Sequence, residues 1–186
     1  PPGEICSRND PDGRPTVFRH LPKLRQGRWV SIGRLDLNTA GLLLFTNDGE
    51  LANRLMHPSA EIEREYWVRV AGEVNEGTLQ ALRNGIELED GFARFDDVQP
   101  LQALHEDDTQ YNRYFSVVLK EGRNREVRRL WEAVGCQVSR LKRTRFGNLW
   151  LPKNLAAGRW RPLTAGEANA LLNLLQDKRR DAKTGL

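Results

Sequence analysis

Cysteine and histidine are scarce in this chain of 186 residues: two of the first, Cys6 and Cys136, and three of the second, His20, His57 and His105. Cysteines so far apart, with no CxxC and no nearby histidine pair, argue against a disulfide framework or a structural zinc site and for a reducing compartment, the cytoplasm. The scattered histidines argue the same way about any metal centre, so none is expected. No apolar run comes near the roughly 20 residues that cross a bilayer, and no signal peptide is recognisable, so no membrane association is expected. Methionine does not stand at position 1, and the chain reads as part of a longer protein.

What is present is a hydrophobic content of 39%, enough for one core or for two small lobes sharing a sheet. The net charge is only +4, but it is unevenly placed. Residues 120–145 hold nine Lys and Arg against Glu121, Glu126 and Glu132, a net of +6 that leaves −2 for the remainder. One basic segment on an otherwise balanced chain is the footprint of a polyanion, nucleic acid first; a solvated charged face is the plainer alternative.

Residues 1–28 are too rich in Pro, Gly, Arg and Asp for regular structure. Leu42–Phe45, four apolar residues bounded by Gly41 and Asn47-Asp48-Gly49, read as a fully buried strand ending in a tight turn. Glu50–Met56 reads as a short amphipathic helix stopped by Pro58, with His57 capping its end. Glu65–Gly72 has the period and the residues of a strand. Asn75 offers an N-cap to a helix running to about Leu82 and stopped by Asn84-Gly85. Further strands follow over 86–119, with turns at Asp90-Gly91 and around Glu106–Thr109. A helix over Arg125–Val134 should bury Val127, Leu130, Trp131 and Val134. Val138–Phe146 reads as a basic strand, with Val138, Arg140, Lys142 and Thr144 on one face and Leu141, Arg143 and Arg145 on the other. Thr164 and Glu167 fit a capping box for a last helix, with Asp177–Leu186 fraying. Strands and helices mixed in this way, with hairpin-like turns, give an α+β fold.

The most informative stretch is 33–52. A polar knot, Arg34 to Thr39, is wedged between the apolar runs Trp29–Ile32 and Leu42–Phe45, and Asp36 sits against the second. A carboxylate beside an apolar strand is costly unless it meets a cation. An Asx-type turn, in which Asp36 or Asn38 bonds a backbone N–H two residues on, is the alternative.

Gly33 to Gly49 fills every fixed position of G-R-L-D-x-x-T-x-G-L-L-L-x-T-x-D-G, and so resembles motif II of the pseudouridine synthases that act on bacterial ribosomal RNA. Gly3 to Val17 matches the family's motif I, Glu63 to Val68 its E-x-E-Y-x-V, and Gly122 to Arg128 its G-R-x-x-x-V-R. The resemblance implies a twisted, mostly antiparallel central sheet in two half-sheets, crossed by a cleft and flanked by helices. It implies one catalytic domain over 1–186 in two sub-lobes, without the small N-terminal RNA-binding domain that family members usually carry. The implied reaction turns a specific uridine of large-subunit ribosomal RNA, presented in a stem-loop and flipped out, into pseudouridine. Asp36 would act at the ribose. Tyr66 would stack on the uracil, and Arg128 would form a charge-assisted bond to Asp36. Arg34 would brace the space the base vacates, and Arg8, Thr39, Arg123, Arg125, Arg140 and Lys142 are the further RNA-binding candidates. No cofactor is expected, and a monomer is. Arg125-Glu126 departs from more distant members, which often carry His-Gln there. The same chemistry on another ribosomal or transfer RNA uridine, or a non-catalytic RNA-binding module, are the alternatives.

Overall fold

A computed structural model describes residues 1–102 and 112–184. In chain order its strands are β1 (Val30–Ile32), β2 (Ala40–Gly41), β3 (Leu44–Thr46), β4 (Arg64–Ala71), β5 (Ile86–Leu88), β6 (Gly91–Ala93), β7 (Asp97–Pro100), β8 (Asn112–Leu119), β9 (Gln137–Phe146) and β10 (Leu149–Trp150). The helices are α1 (Gly49–Met56), α2 (Glu76–Asn84), α3 (Glu126–Ala133) and α4 (Ala165–Thr184). This is an α+β chain, as expected. It divides into two compact units, Pro1–Ile62 with Arg145–Leu186, and Glu63–Thr144. No helix among the described residues is long and apolar enough to cross a membrane. The turn expected around Glu106–Thr109 lies outside the described residues.

In the first unit β1 pairs antiparallel with β3, Val30 opposite Thr46 and Ile32 opposite Leu44. The run Leu42–Phe45 does not form one fully buried strand. Leu42 and Leu44 are buried while Leu43 and Phe45 are half-buried, because a short two-stranded pairing covers only one face. Asp48 caps α1, its carboxylate accepting from the Glu50 and Leu51 N–H groups at 3.0 and 3.1 Å. Ala52 and Leu55 of α1 are wholly buried with Ile32, Ile62, Phe146, Leu149, Leu171 and Leu175. His57 ends α1 and its ring accepts from the Ser59 N–H of a following 3₁₀ turn, Pro58–Ala60. The N-terminal 28 residues are less irregular than expected: Val17–His20 form a 3₁₀ turn and Ile5 bridges Thr16.

The last helix opens with the expected capping box, Glu167 N–H on Thr164 Oγ1 (3.2 Å) and Thr164 N–H on Glu167 Oε1 (3.0 Å). It does not fray at Asp177 but continues to Thr184. Lys, Arg, Gln and Ala are good helix formers, and Lys178 is tied to Glu61.

The second unit is built on an antiparallel sheet in the order β9-β4-β8-β7. β4 and β8 pair along their whole length, Arg64 opposite Leu119 to Ala71 opposite Asn112. Helix α2 starts on Asn75, whose side chain accepts from Thr78 N–H at 2.9 Å, and ends at Gly85. Trp131 of α3 packs on Phe115 and Phe95, ring centroids 5.0 and 6.1 Å away, and all three rings are fully buried. Each such side chain contributes about 1.5–3 kcal/mol, which fastens α3 firmly to the sheet.

Candidate active site

Asp36 is half-buried in the loop between β1 and β2. The turn there is real, but backbone closes it: Thr39 N–H donates to Asp36 C=O at 2.9 Å. Among the described residues of its own unit, nothing donates to the Asp36 carboxylate, so an Asx-type turn does not run through Asp36. The backbone on either side of Asp36 is pinned by the N-terminal segment. Gly3 N–H donates to Leu37 C=O at 2.6 Å. Leu35 N–H donates to the Cys6 sulfur at 3.3 Å, and the Cys6 thiol donates to Leu35 C=O at 3.4 Å. A carboxylate used by no neighbour in its unit, on a backbone held from both sides, is an arrangement suited to an external ligand rather than to local stability.

Cys6 was not singled out by sequence reasoning, and only its place four residues before Asp10-Pro11 of the first motif hints at it. The motif-I segment is itself well braced. Arg14 grips Asp10 through two nitrogens at 2.8 and 2.9 Å, holding the Asp10 carboxyl down at about 2. Buried Glu4 holds Arg19 and His20, at 2.7 and 2.8 Å. Arg8 is exposed with its guanidinium 4.6 Å above the Phe18 ring, which meets Phe45 of β3 edge-on at 5.6 Å. Arg34 is exposed and pairs with no carboxylate of its unit among the described residues. Thr39 is buried, and its Oγ1 has no hydrogen-bond partner among the described residues.

Tyr66 and Arg128 belong to the second unit. Tyr66 is buried on β4 opposite Val117 of β8. Arg128 is buried on α3, and its Nη1 donates to Val138 C=O at 3.3 Å. Two further cations join them that were not assigned a role: Arg143, buried on β9, and Arg64, on β4. Burial pulls the Arg64 guanidinium below its ordinary range. Tyr66 opposes that and Arg143 adds to it, so these three groups lie within electrostatic reach of one another. The signal for Arg143 was its sharing a strand face with Leu141, and both are buried. Val138 breaks that alternation: it is buried, while Arg140 and Lys142, assigned to its face, are exposed.

The segment leading into α3 differs most from its sequence reading. The Arg123 guanidinium donates to the Phe92 C=O at 2.8 Å, to Asp90 Oδ1 at 3.0 Å and to Glu121 Oε1 at 3.0 Å. Arg129 grips the same Asp90 carboxylate at 2.7 and 3.0 Å. These two arginines bolt the β5–β6 hairpin to α3, and hydrogen bonds from Arg129 and charge from Arg123 hold Asp90 below the usual carboxylate range. Glu126 is buried, its Oε2 accepting the Arg123 N–H at 2.9 Å. Burial, reinforced by the Glu121 carboxyl, pushes Glu126 up to about 8, while Glu121 is lowered. Arg125 alone of this group is exposed with no side-chain partner among the described residues, and it takes a left-handed conformation at φ 51°. Arg140, bonded to the Tyr114 hydroxyl at 3.3 Å, and Lys142 are exposed on β9. Among the described residues no group of three His, Cys, Asp or Glu could hold a metal ion.

Three comparisons bear on this geometry. A family profile described as RNA pseudouridylate synthase matches residues 1–133. Over 176 residues the chain is 57% identical to the ribosomal large subunit pseudouridine synthase B of Vibrio vulnificus and to that of Escherichia coli K12. The match takes in 95% of this chain but 53% and 59% of theirs. The chain thus spans between half and three-fifths of the length of these relatives. A crystal structure of a pseudouridylate synthase superposes with a TM-score of 0.76 at 32% identity, covering 92% of this chain and 70% of that one.

Proposed function

The chain belongs to the RNA pseudouridylate synthase family, and we propose that it converts a uridine of large-subunit ribosomal RNA into pseudouridine with Asp36 as the carboxylate that acts at the ribose. The observation that carries this reading is the state of Asp36: half-buried, its carboxylate accepting nothing among the described residues of its unit, on a backbone clamped at Leu35 and Leu37. A side chain so placed is positioned without being consumed by structure.

The isomerisation breaks the bond from N1 of uracil to C1′, turns the base, and forms a bond from C5 to the same carbon. The proton on C5 leaves and N1 gains one, so atoms balance with no oxidant. Asp36 handles the sugar carbon or a sugar proton as the glycosidic bond opens. Tyr66, buried on β4, keeps the role the family motif gives it, stacking on the uracil near C5. The family motif gives Arg128 the role of maintaining an ionised carboxylate, for which an always-charged guanidinium is suited. A uridine in a stem-loop must be unstacked first, at a cost of a few kcal/mol. Arg34, exposed two residues before Asp36, is the side chain to brace the gap, and Arg8, Arg125, Arg140 and Lys142 supply exposed charge for phosphates. The cytoplasm, the home of ribosomal RNA in bacteria, is the compartment this reading requires.

The test is Asp36→Asn with a large-subunit ribosomal RNA stem-loop and a base-resolved pseudouridine readout. The variant should bind the RNA about as well as the parent and convert none of it. Conversion by the variant at the parental rate refutes the reading.

A further inference from the structure

The first unit carries a second surface suited to RNA, which no sequence motif identified. From Arg145 to Gly166 the chain has no Asp or Glu, while it holds Arg145, Lys153, Arg159 and Arg161. Within the same stretch stand Trp150 and Trp160, 58% and 48% exposed. Exposed tryptophan is unusual, because an indole left in water forgoes the burial that normally accounts for its presence.

The surroundings of Trp150 are ordered. It lies on β10 directly opposite Arg145 of β9, across a turn at Gly147-Asn148. The Arg145 guanidinium sits over the Trp150 ring, 5.4 Å from its centroid, and is itself held by donating to Gly147 C=O at 2.7 Å. Gly147 is locked in place: its φ is +60°, and a Cβ there would come within 2.8 Å of Leu174. Leu149, next to Trp150, is buried in the core of this unit. The indole is thus anchored from below and braced by a cation, and it loses little freedom when something stacks on it. Arg161 is neutralised by Glu167 at 2.8 and 2.9 Å, while Lys153 and Arg159 are exposed. A protein partner would have to be acidic throughout to meet this face. Single-stranded RNA offers both negative charge and flat apolar bases.

We propose that Trp150, braced by Arg145 and set in the acid-free stretch 145–161, is a stacking platform for an unpaired nucleotide of the RNA, with Lys153 and Arg159 taking its phosphates. This rests on the reading of the chain as an RNA-modifying enzyme, and adds to it a place where RNA outside the reacting nucleotide is held. Base–aromatic stacking tolerates any base, so the platform supplies affinity rather than sequence choice.

The test compares the parent with Trp150→Thr, which keeps strand preference and removes the ring, and with Trp150→Phe, which keeps a ring. The probes are an unstructured oligouridylate and inorganic polyphosphate, each titrated over a range of salt. Loss of the ring should weaken oligouridylate binding roughly 5- to 100-fold while polyphosphate binding stays unchanged, and Trp150→Phe should recover much of the difference. The salt slope should be unaltered in Trp150→Thr and reduced in Lys153→Ala with Arg159→Ala, since stacking releases no counterions. Equal affinity of Trp150→Thr and parent for oligouridylate overturns the proposal, as does an equal loss for polyphosphate. Should Trp150→Thr fail to fold, Trp150→Phe against Trp150→Leu decides on the same criterion. Conversion of the stem-loop is assayed beside binding. A chain that binds through Trp150 but never isomerises uridine sinks the enzymatic reading and leaves the platform, whereas one that isomerises with Trp150 indifferent does the reverse.

Discussion

Glu126→Gln probes the charge chemistry at the start of α3. In the parent the buried Glu126 carboxyl accepts the Arg123 N–H at 2.9 Å and neighbours Glu121, which accepts from the same Arg123. Burial lifts Glu126 from 4.5 to about 8 and the neighbouring acid adds to it, so near neutrality the two carboxyls keep one proton and it resides on Glu126. The folded protein therefore holds a proton that the unfolded chain has released between about 4.5 and 8. The sign is fixed by that difference. Stability is full below 4.5 and falls as pH rises to about 8, above which both states are ionised and the loss is complete.

At about 1.4 kcal/mol for each pH unit the undiminished loss would be roughly 5 kcal/mol. The Glu121 side chain is 44% exposed and Arg123 lies against both acids, so water and the guanidinium screen the charge. The expected loss is on the order of 2 kcal/mol. Glutamine keeps the oxygen that Arg123 N–H needs and can donate to Glu121, yet never ionises. Glu126→Gln should match the parent near pH 4 and exceed it by about 2 kcal/mol near pH 9, measured by urea unfolding followed by circular dichroism and fluorescence. Glu126→Leu, which strands the Arg123 N–H, should cost about 1–3 kcal/mol near pH 9 as well as near pH 5.5. A difference between Gln and parent that does not change with pH refutes the reasoning.

Cys6→Ala removes both sulfur bonds to Leu35 and should slow single-turnover conversion about 5-fold, for a loss near 1 kcal/mol, with the RNA affinity unchanged; Cys6→Ser should restore most of it. An unchanged rate in Cys6→Ala means that the clamp on the Asp36 backbone does not matter. Arg125→Gly relieves a left-handed residue that costs a side chain about 1 kcal/mol and removes an exposed cation. Its urea midpoint should hold or rise while stem-loop affinity falls and the salt slope drops by about one, and a lower midpoint contradicts this account.

Much of the fold was legible because its determinants are local. Asp48 before α1, Asn75 before α2 and the Thr164–Glu167 box before α4 each cap within three residues, and propensity and spacing reveal them. The run Leu42–Phe45 misled because continuity of apolar residues does not say how many faces are covered. The end of α4 misled because polarity was taken for fraying, while Glu61, far away in sequence, holds Lys178. At the candidate site, the choice of Asp36 comes from motif order. The freedom of its carboxylate from the turn, and the hold of Cys6 on Leu35, depend on a contact 29 residues apart that no local pattern encodes. The burial of Glu126, Arg128 and Arg143 follows from the packing of α3 on the sheet, and charge was no guide to it.

The same distinction governs where a polyanion can be held. Counted along the chain, 120–145 is the basic segment, with a net of +6. In the folded second unit Arg123 and Arg129 are committed to Asp90, Arg128 and Arg143 are buried, and the exposed cations that remain are Lys120, Arg125, Arg140 and Lys142. Charge that is buried or paired attracts phosphate weakly, because acids beside it cancel its field and the protein around it keeps the phosphate at a distance. The stretch from Arg145 to Arg161 has fewer cations than 120–145 but no acid within it, and Lys153 and Arg159 are exposed. What a polyanion meets is the uncompensated exposed charge, and by that measure the later stretch, with Lys153 and Arg159, still presents less of it than the earlier one. Only the later one adds exposed indoles, so there the binding free energy should survive high salt best: counterion release weakens with ionic strength, and stacking does not.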